Sequence, residues 1–143
     1  LRVTYGNVSG VELRDGVYYK PFTTLEGIAE KHSGQEPFNV DDKLLSKIFE
    51  KDYGTYYFEP IDSVPVNFIS TLDITNGNSG SATINSDFDL VGLAFDGMLE
   101  TIIADYKYIP QARSISVDSR YLLWTLEKVE GADNILKELT IVN

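Results

Sequence analysis

Apolar and polar residues alternate from Leu1 to Val8, with the β-formers Val3, Thr4, Tyr5 and Val8. The alternation returns from Val11 to Tyr19 around a turn-like Arg14-Asp15-Gly16. The pattern predicts two strands that pair as a hairpin. From Thr23 the period lengthens: Leu25, Ile28 and Ala29 fall at helical spacing, Thr23 or Thr24 supplies a cap, and Gly34 stops the run. Between Asp41 and Lys51 the apolar residues Leu44, Leu45, Ile48 and Phe49 share one helical face. Acidic residues sit at the start and a lysine at the end, as the helix dipole favours. Pro60 and Pro65 then argue against any regular element between Tyr53 and Val66.

Val66–Leu72, Ala82–Asn85, Leu90–Phe95 and Ser114–Val117 read as strands separated by Gly, Asn, Asp and Ser clusters. The end of the chain turns helical. Leu122, Leu123, Leu126 and Val129 recur with Tyr121 and Trp124 until Gly131, and a second short amphipathic run covers Asp133–Leu139. The expectation is one mainly β domain over 1–143, with a helical insertion at about 23–52 and C-terminal helices at about 119–139.

Composition narrows the chemistry. The 143 residues include no Cys and one His, which excludes thiolate metal sites, cysteine nucleophiles and disulfides and leaves little for a metal to bind. No cofactor is expected. A net charge of −10 repels a phosphate backbone and an anionic bilayer, so neither nucleic acid nor a membrane surface is an expected partner. No apolar run approaches the ~20 residues of a membrane span. Leu1 opens inside a strand-like pattern and the sole Met is Met98, so the start reads as an interior one.

The stretch that carries chemistry is Asp73-Ile74-Thr75-Asn76-Gly77-Asn78-Ser79-Gly80-Ser81. A Gly/Asn/Ser cluster is by itself a surface turn. Gly-Asn-Ser-Gly-Ser nevertheless resembles the nucleophile loop of chymotrypsin-like serine peptidases, where glycines let a tight turn aim main-chain amides at an oxyanion. The flanks extend the likeness. Leu90-Val91-Gly92-Leu93-Ala94-Phe95-Asp96-Gly97, Val117-Asp118-Ser119-Arg120-Tyr121-Leu122-Leu123-Trp124, the opening Leu1-Arg2-Val3-Thr4-Tyr5-Gly6 and the ending Leu139-Thr140-Ile141-Val142 together resemble the bacterial dipeptidyl-peptidase 7 and 11 family.

That resemblance implies the C-terminal β-barrel of a chymotrypsin-like double barrel, in an exopeptidase that releases dipeptides from peptide N-termini. It implies Ser79 as nucleophile and the amides of Gly77 and Ser79 as the oxyanion hole. Asp96 is implied as partner of the substrate α-ammonium, against its plain reading as an Asp-Gly turn. Gly97 is implied as the S1 wall: an Arg there marks the acidic-specific branch, and glycine suits large apolar P1 side chains. The catalytic His and Asp of the family lie upstream, in the first barrel, which is therefore an expected partner, along with a peptide substrate and a homodimer of the intact enzyme. A periplasmic, cell-surface or secreted location follows from the same likeness.

His32, in Glu30-Lys31-His32-Ser33-Gly34, reads as a solvated loop imidazole and not as the base, so the chain alone is expected to be inactive. Asn78 replaces the Asp of zymogen-activated relatives, which removes the need for a new N-terminal ammonium. Asp118 reads as a helix cap. Two departures stand out: Ala82 in place of a Pro, expected to loosen strand entry, and Met98 in place of an Asn, expected to reshape the pocket rim. The face that would meet the first barrel is left bare in the isolated chain and is expected to drive self-association or partial disorder. The competing readings are an acidic-P1-specific dipeptidyl-peptidase, a trypsin-like endopeptidase, and a non-catalytic peptide-binding domain.

Overall fold

The computed structural model describes residues 3–103, 106, 107 and 109–142. They form two compact units, one from the described parts of 1–23 and 67–119, the other from 24–66 and the described part of 120–143. Among the described residues no helix is long and apolar enough to cross a membrane.

The first unit is built on strands. β1 (Val11–Arg14) and β2 (Val17–Tyr19) form the expected hairpin, turning at Gly16 with φ +76°. A five-stranded sheet has the order β3-β4-β7-β6-β5, in which β3 is Phe22–Thr24, β4 Pro65–Ser70, β5 Ser81–Ile84, β6 Leu90–Gly97 and β7 Ser114–Asp118. The pairs β4–β7, β7–β6 and β6–β5 are antiparallel. β3 was not expected, since its three residues fall where the helical period begins.

Other expectations are corrected. Pro65 does not interrupt a strand but opens β4, the one interior position where a missing N–H is tolerated. The expected strand Leu1–Val8 is, over the described residues, no more than a single bridge from Val8 to Ser70. The segment runs beside the end of β4 and the chain after it through mixed bonds: Ser9 N donates to Ile69 O at 3.2 Å and Thr71 N to Asn7 O at 3.0 Å, while Asn7 N donates to Thr71 Oγ1 at 2.9 Å and Asp73 N to Thr4 Oγ1 at 3.1 Å. Hydroxyls that take acceptor positions of carbonyls interrupt a regular ladder.

The buried face of β7 is polar. Ser114, Ser116 and Asp118 are buried while Ile115 and Val117 are only half covered. The hydroxyls satisfy one another across strands, Ser70 Oγ with Ser114 Oγ at 2.7 Å and Thr83 Oγ1 with Ser116 Oγ at 3.2 Å, as buried polar groups must.

The second unit is mainly helical. α1 (Leu25–Lys31) starts at Thr24, whose Oγ1 accepts from Gly27 N at 3.3 Å. α2 (Asp42–Glu50) starts at Asp41, whose carboxylate accepts from Lys43 N and Leu44 N. α3 (Ser119–Trp124) begins directly after Asp118, passes into a π-helical stretch at Thr125–Glu130 and ends at Gly131 with φ +61°; α4 is the short Asp133–Leu136. Leu25, Ile48, Tyr56, Val64, Val66, Trp124 and Val129 form its core. Phe49 is 71% exposed, so the apolar face of α2 is narrower than the sequence implies.

The segment between α2 and β4 is fastened by hydroxyl-to-carboxylate bonds. Glu26 accepts from Tyr53 Oη and, at 2.5 Å, from Ser63 Oγ, and Tyr56 Oη donates to Glu127 Oε2 at 2.6 Å. Burial alone would push the Glu26 carboxyl up, but the bonds from Ser63 and Tyr53 outweigh it and hold the carboxyl below its ordinary range. Burial, then the carboxylate partner, pushes Tyr53 and Tyr56 each up to about 12. The one Trp, Trp124, is fully buried and donates from Nε1 to Asp52 O at 2.9 Å.

Candidate active site

Residues 75–81 make two consecutive tight turns that share Asn78. Asn78 N donates to Thr75 O at 3.2 Å and Ser81 N donates to Asn78 O at 2.9 Å. The third residue of each turn is a glycine with positive φ, Gly77 at +89° and Gly80 at +86°. Positive φ at that position alone defines type II turns, and an L side chain there would be strained. Ser79 is the second residue of the second turn. The sequence thus presents it at a corner that only the Gly-x-x-Gly spacing permits.

Asn78 also locks the first turn, because its Oδ1 accepts from Thr75 N at 2.7 Å. This closes the ring from both sides without a charge. The reading of Asn78 as a neutral replacement therefore gains a specific role: the amide oxygen has a main-chain donor within the same turn.

The loop is tied to β6 at an irregularity. β6 pairs Ala94 with Ser116 and Asp96 with Ile115, so Phe95 is an extra residue, a β-bulge of the kind that redirects groups beside active sites. Gly80 N donates to Ala94 O at 2.7 Å, and the Ser79 hydroxyl donates to Phe95 O at 3.2 Å. Among the described residues neither the Gly77 nor the Ser79 amide is hydrogen-bonded to protein.

Residues 74–79, residues 94–97, Thr101 and Ile102 line a cavity of about 360 Å³. It brings Ser79, Gly77, Asp96 and Gly97 to one concave surface. Asp96 is exposed and its Oδ1 accepts from Gly97 N at 2.8 Å. Both residues pair with β7, Asp96 with Ile115 and Gly97 with Ser114, so they continue β6 and do not close it as a turn. Among the described residues on this lining the only charged one is Asp96. Met98, expected at the rim, is buried, with its amide donating to Arg113 O at 3.0 Å; it is absent from the lining. Ala82 pairs with Leu93 in the β5–β6 ladder, ahead of the register shift between Thr83 and Ile84.

His32 belongs to the other unit, where it follows α1 and its Nδ1 accepts from Val40 N at 3.0 Å. The imidazole is half-buried and fastens the 32–40 loop, which is more than the solvated role expected of it. The residue that sequence reasoning missed is Thr101. It stands on a 3-10 turn, Leu99–Ile103, with neither a motif nor a periodic pattern to draw attention to it.

The chain has relatives over almost its whole length. The chain is 43% identical to an Asp/Glu-specific dipeptidyl-peptidase of Shewanella putrefaciens, over 99% of its own length and 22% of the relative's. It is 42% identical to a dipeptidyl-peptidase 7 of Phocaeicola vulgatus, over 99% of the chain and 20% of the relative. In structure it is similar to the DPP11 of Porphyromonas endodontalis solved in complex with the dipeptide Arg-Asp, with TM-score 0.90 and 39% identity, over 94% of this chain and 20% of that one. The chain thus spans about a fifth of the length of these relatives. The peptidase S46 model matches residues 1–141, and with identities of this size across the same span the chain belongs to the peptidase S46 family.

Proposed function

We propose that the chain is the nucleophile-bearing part of a longer serine dipeptidyl-peptidase with a chymotrypsin-like catalytic arrangement. The observation that carries this is the position of Ser79 at the corner of two fused type II turns, on a cavity, next to two main-chain amides without a protein partner. Ser79 Oγ attacks the scissile carbonyl carbon, and its proton passes to an imidazole contributed by the upstream part of the full-length protein. The Gly77 and Ser79 amides take up the negative charge on the former carbonyl oxygen. Each such donor is worth about 10²–10³ in rate. Collapse of the tetrahedral adduct releases the amine, and water then hydrolyses the acyl-enzyme.

Asp96 gives the enzyme its register. A carboxylate at a fixed distance from Ser79 pairs with a free α-ammonium two residues before the scissile bond, so that dipeptides leave and blocked peptides do not bind. Gly97 and the uncharged residues described around it suit an apolar P1 side chain; among the described residues of the lining an acidic one would meet Asp96 alone as a charged neighbour. Among the relatives, the name dipeptidyl-peptidase 7 goes with this reading, and the name Asp/Glu-specific dipeptidyl-peptidase with its rival. A secreted or periplasmic protein, assembled as a homodimer, completes the proposal.

The full-length protein, assayed on fluorogenic dipeptides with Leu, Phe, Asp or Glu at P1 and with free or blocked amines, tests each part. Faster cleavage of blocked substrates removes the exopeptidase reading, and preference for Asp or Glu removes the role given to Gly97.

A further inference from the structure

The geometry points to Thr101 as the residue that sets the depth of the substrate pocket beside Ser79; this rests on the proposed roles of Ser79 and Gly97. Two cavities adjoin here. The one at Ser79 is about 360 Å³, and the second, about 230 Å³, lies against Leu72, Ile109, Pro110 and Ala112. Among the described residues only Ile74 and Thr101 line both. They are therefore the partition between them.

Thr101 is held in that position. Its hydroxyl donates to Met98 O at 2.5 Å and its amide donates to the same oxygen at 2.8 Å. Met98 is in turn buried and bonded to Arg113 O, so the partition is anchored to the strand pair β6–β7. The side chain also packs on Gly97: a Cβ added to Gly97 would collide with Thr101 Oγ1 and lie 3.2 Å from its Cβ and 3.4 Å from its Cγ2. A P1 side chain passing over Gly97 ends at Thr101.

A shorter residue at 101 removes the stop and joins the pocket to a second space, where Leu72, Ile109, Pro110 and Ala112 offer apolar surface beside the polar Thr71, Asp73, Arg113 and Ser114. Longer P1 groups gain contacts they lack in the native protein, while small ones gain nothing. A methylene-sized change in such a pocket is worth roughly 10–200-fold in discrimination. Arg113 and Asp73 also line the second cavity; the Arg113 guanidinium is occupied by the carbonyls of Ser9, Gly10, Pro110 and Ala112 and the Asp73 carboxylate repels an acidic group, so the gain is for uncharged groups that reach the apolar part of the wall.

The test uses the full-length protein and its Thr101→Ala, Thr101→Ser and Thr101→Val variants. Substrates carry Ala, Leu, Phe or 4-phenylphenylalanine at P1, and dipeptidyl phosphonates with the same side chains report the rate of Ser79 labelling by mass spectrometry. Thr101→Ala is expected to raise the ratio of kcat/KM for 4-phenylphenylalanine over Leu about ten-fold or more, with labelling rates moving in parallel. Thr101→Ser moves the ratio the same way by less, which serves if the alanine variant folds poorly. Thr101→Val, equal in volume but without the hydroxyl, leaves it within about two-fold of native. An active Thr101→Ala or Thr101→Ser enzyme with the native ratio overturns the role of Thr101. A native protein that neither cleaves nor is labelled at Ser79 overturns the underlying reading instead.

Discussion

The Ser79 hydroxyl donates to the main-chain oxygen of Phe95, 3.2 Å away, at the bulge of β6. A serine hydroxyl bonded to a carbonyl is held but not activated, because a carbonyl cannot remove its proton at the moment of attack. The 143-residue chain expressed alone is therefore expected to hydrolyse no dipeptide substrate, whereas the full-length protein does so and loses at least about 10³-fold in kcat on Ser79→Ala. A fluorogenic assay on the two proteins decides it.

The fused turns make a second prediction. Gly77→Ala and Gly80→Ala place an L side chain at φ of +89° and +86°, in open space, so the penalty is conformational and not steric. Each variant is expected to lose about 1 kcal/mol or more of stability. Activity should fall further for Gly77→Ala, whose amide faces the reaction in this account. Chemical denaturation and kcat measured side by side separate the two effects.

Asn78 holds the first turn through its amide oxygen. Asn78→Ala removes an acceptor worth about 1 kcal/mol and is expected to lower kcat several-fold with little change in KM, since the turn and not the binding surface is loosened. Steady-state kinetics check the split.

In the helical unit, the sign of each pH effect follows from its shift. Glu26 is held below its ordinary range, so its contribution is present above the unfolded value and is lost as pH falls through the folded one. Tyr53 and Tyr56 are raised to about 12, so their contribution is complete below pH of about 10 and lost as pH climbs from there toward 12. Absorbance titration should show two tyrosines ionising only as the pH approaches about 12. Tyr53→Phe should lower Tm and move the acid-unfolding midpoint upward, because Glu26 loses a donor.

Trp124 reports on the same unit. It is fully buried, so its emission should be blue-shifted and should move red in one step on unfolding. Trp124→Ala is expected to cost about 3–5 kcal/mol, measured by urea denaturation.

The parts of the fold legible in the sequence were those fixed locally. The hairpin at Gly16, the caps Thr24 and Asp41, and the stop at Gly131 all rest on residues within one turn of the feature. The failures are where distant groups decide. Thr4 and Thr71 hydroxyls interrupt the main-chain pairing of the opening segment, and Met98 turns inward because its amide and carbonyl are claimed by Arg113 and Thr101. At the site, the Gly-x-x-Gly spacing around Ser79 announced the turns. The partition at Thr101 could not be read, since it depends on two cavities meeting across residues that are not adjacent in the chain.

The nucleophile itself is open to direct chemical proof. The full-length protein, treated with a fluorophosphonate and mapped by peptide mass spectrometry, is expected to carry one adduct, on Ser79, at a level that matches the activity lost. Full inactivation with Ser79 unmodified, or a Ser79→Ala protein that still releases dipeptides at the native rate, would contradict it.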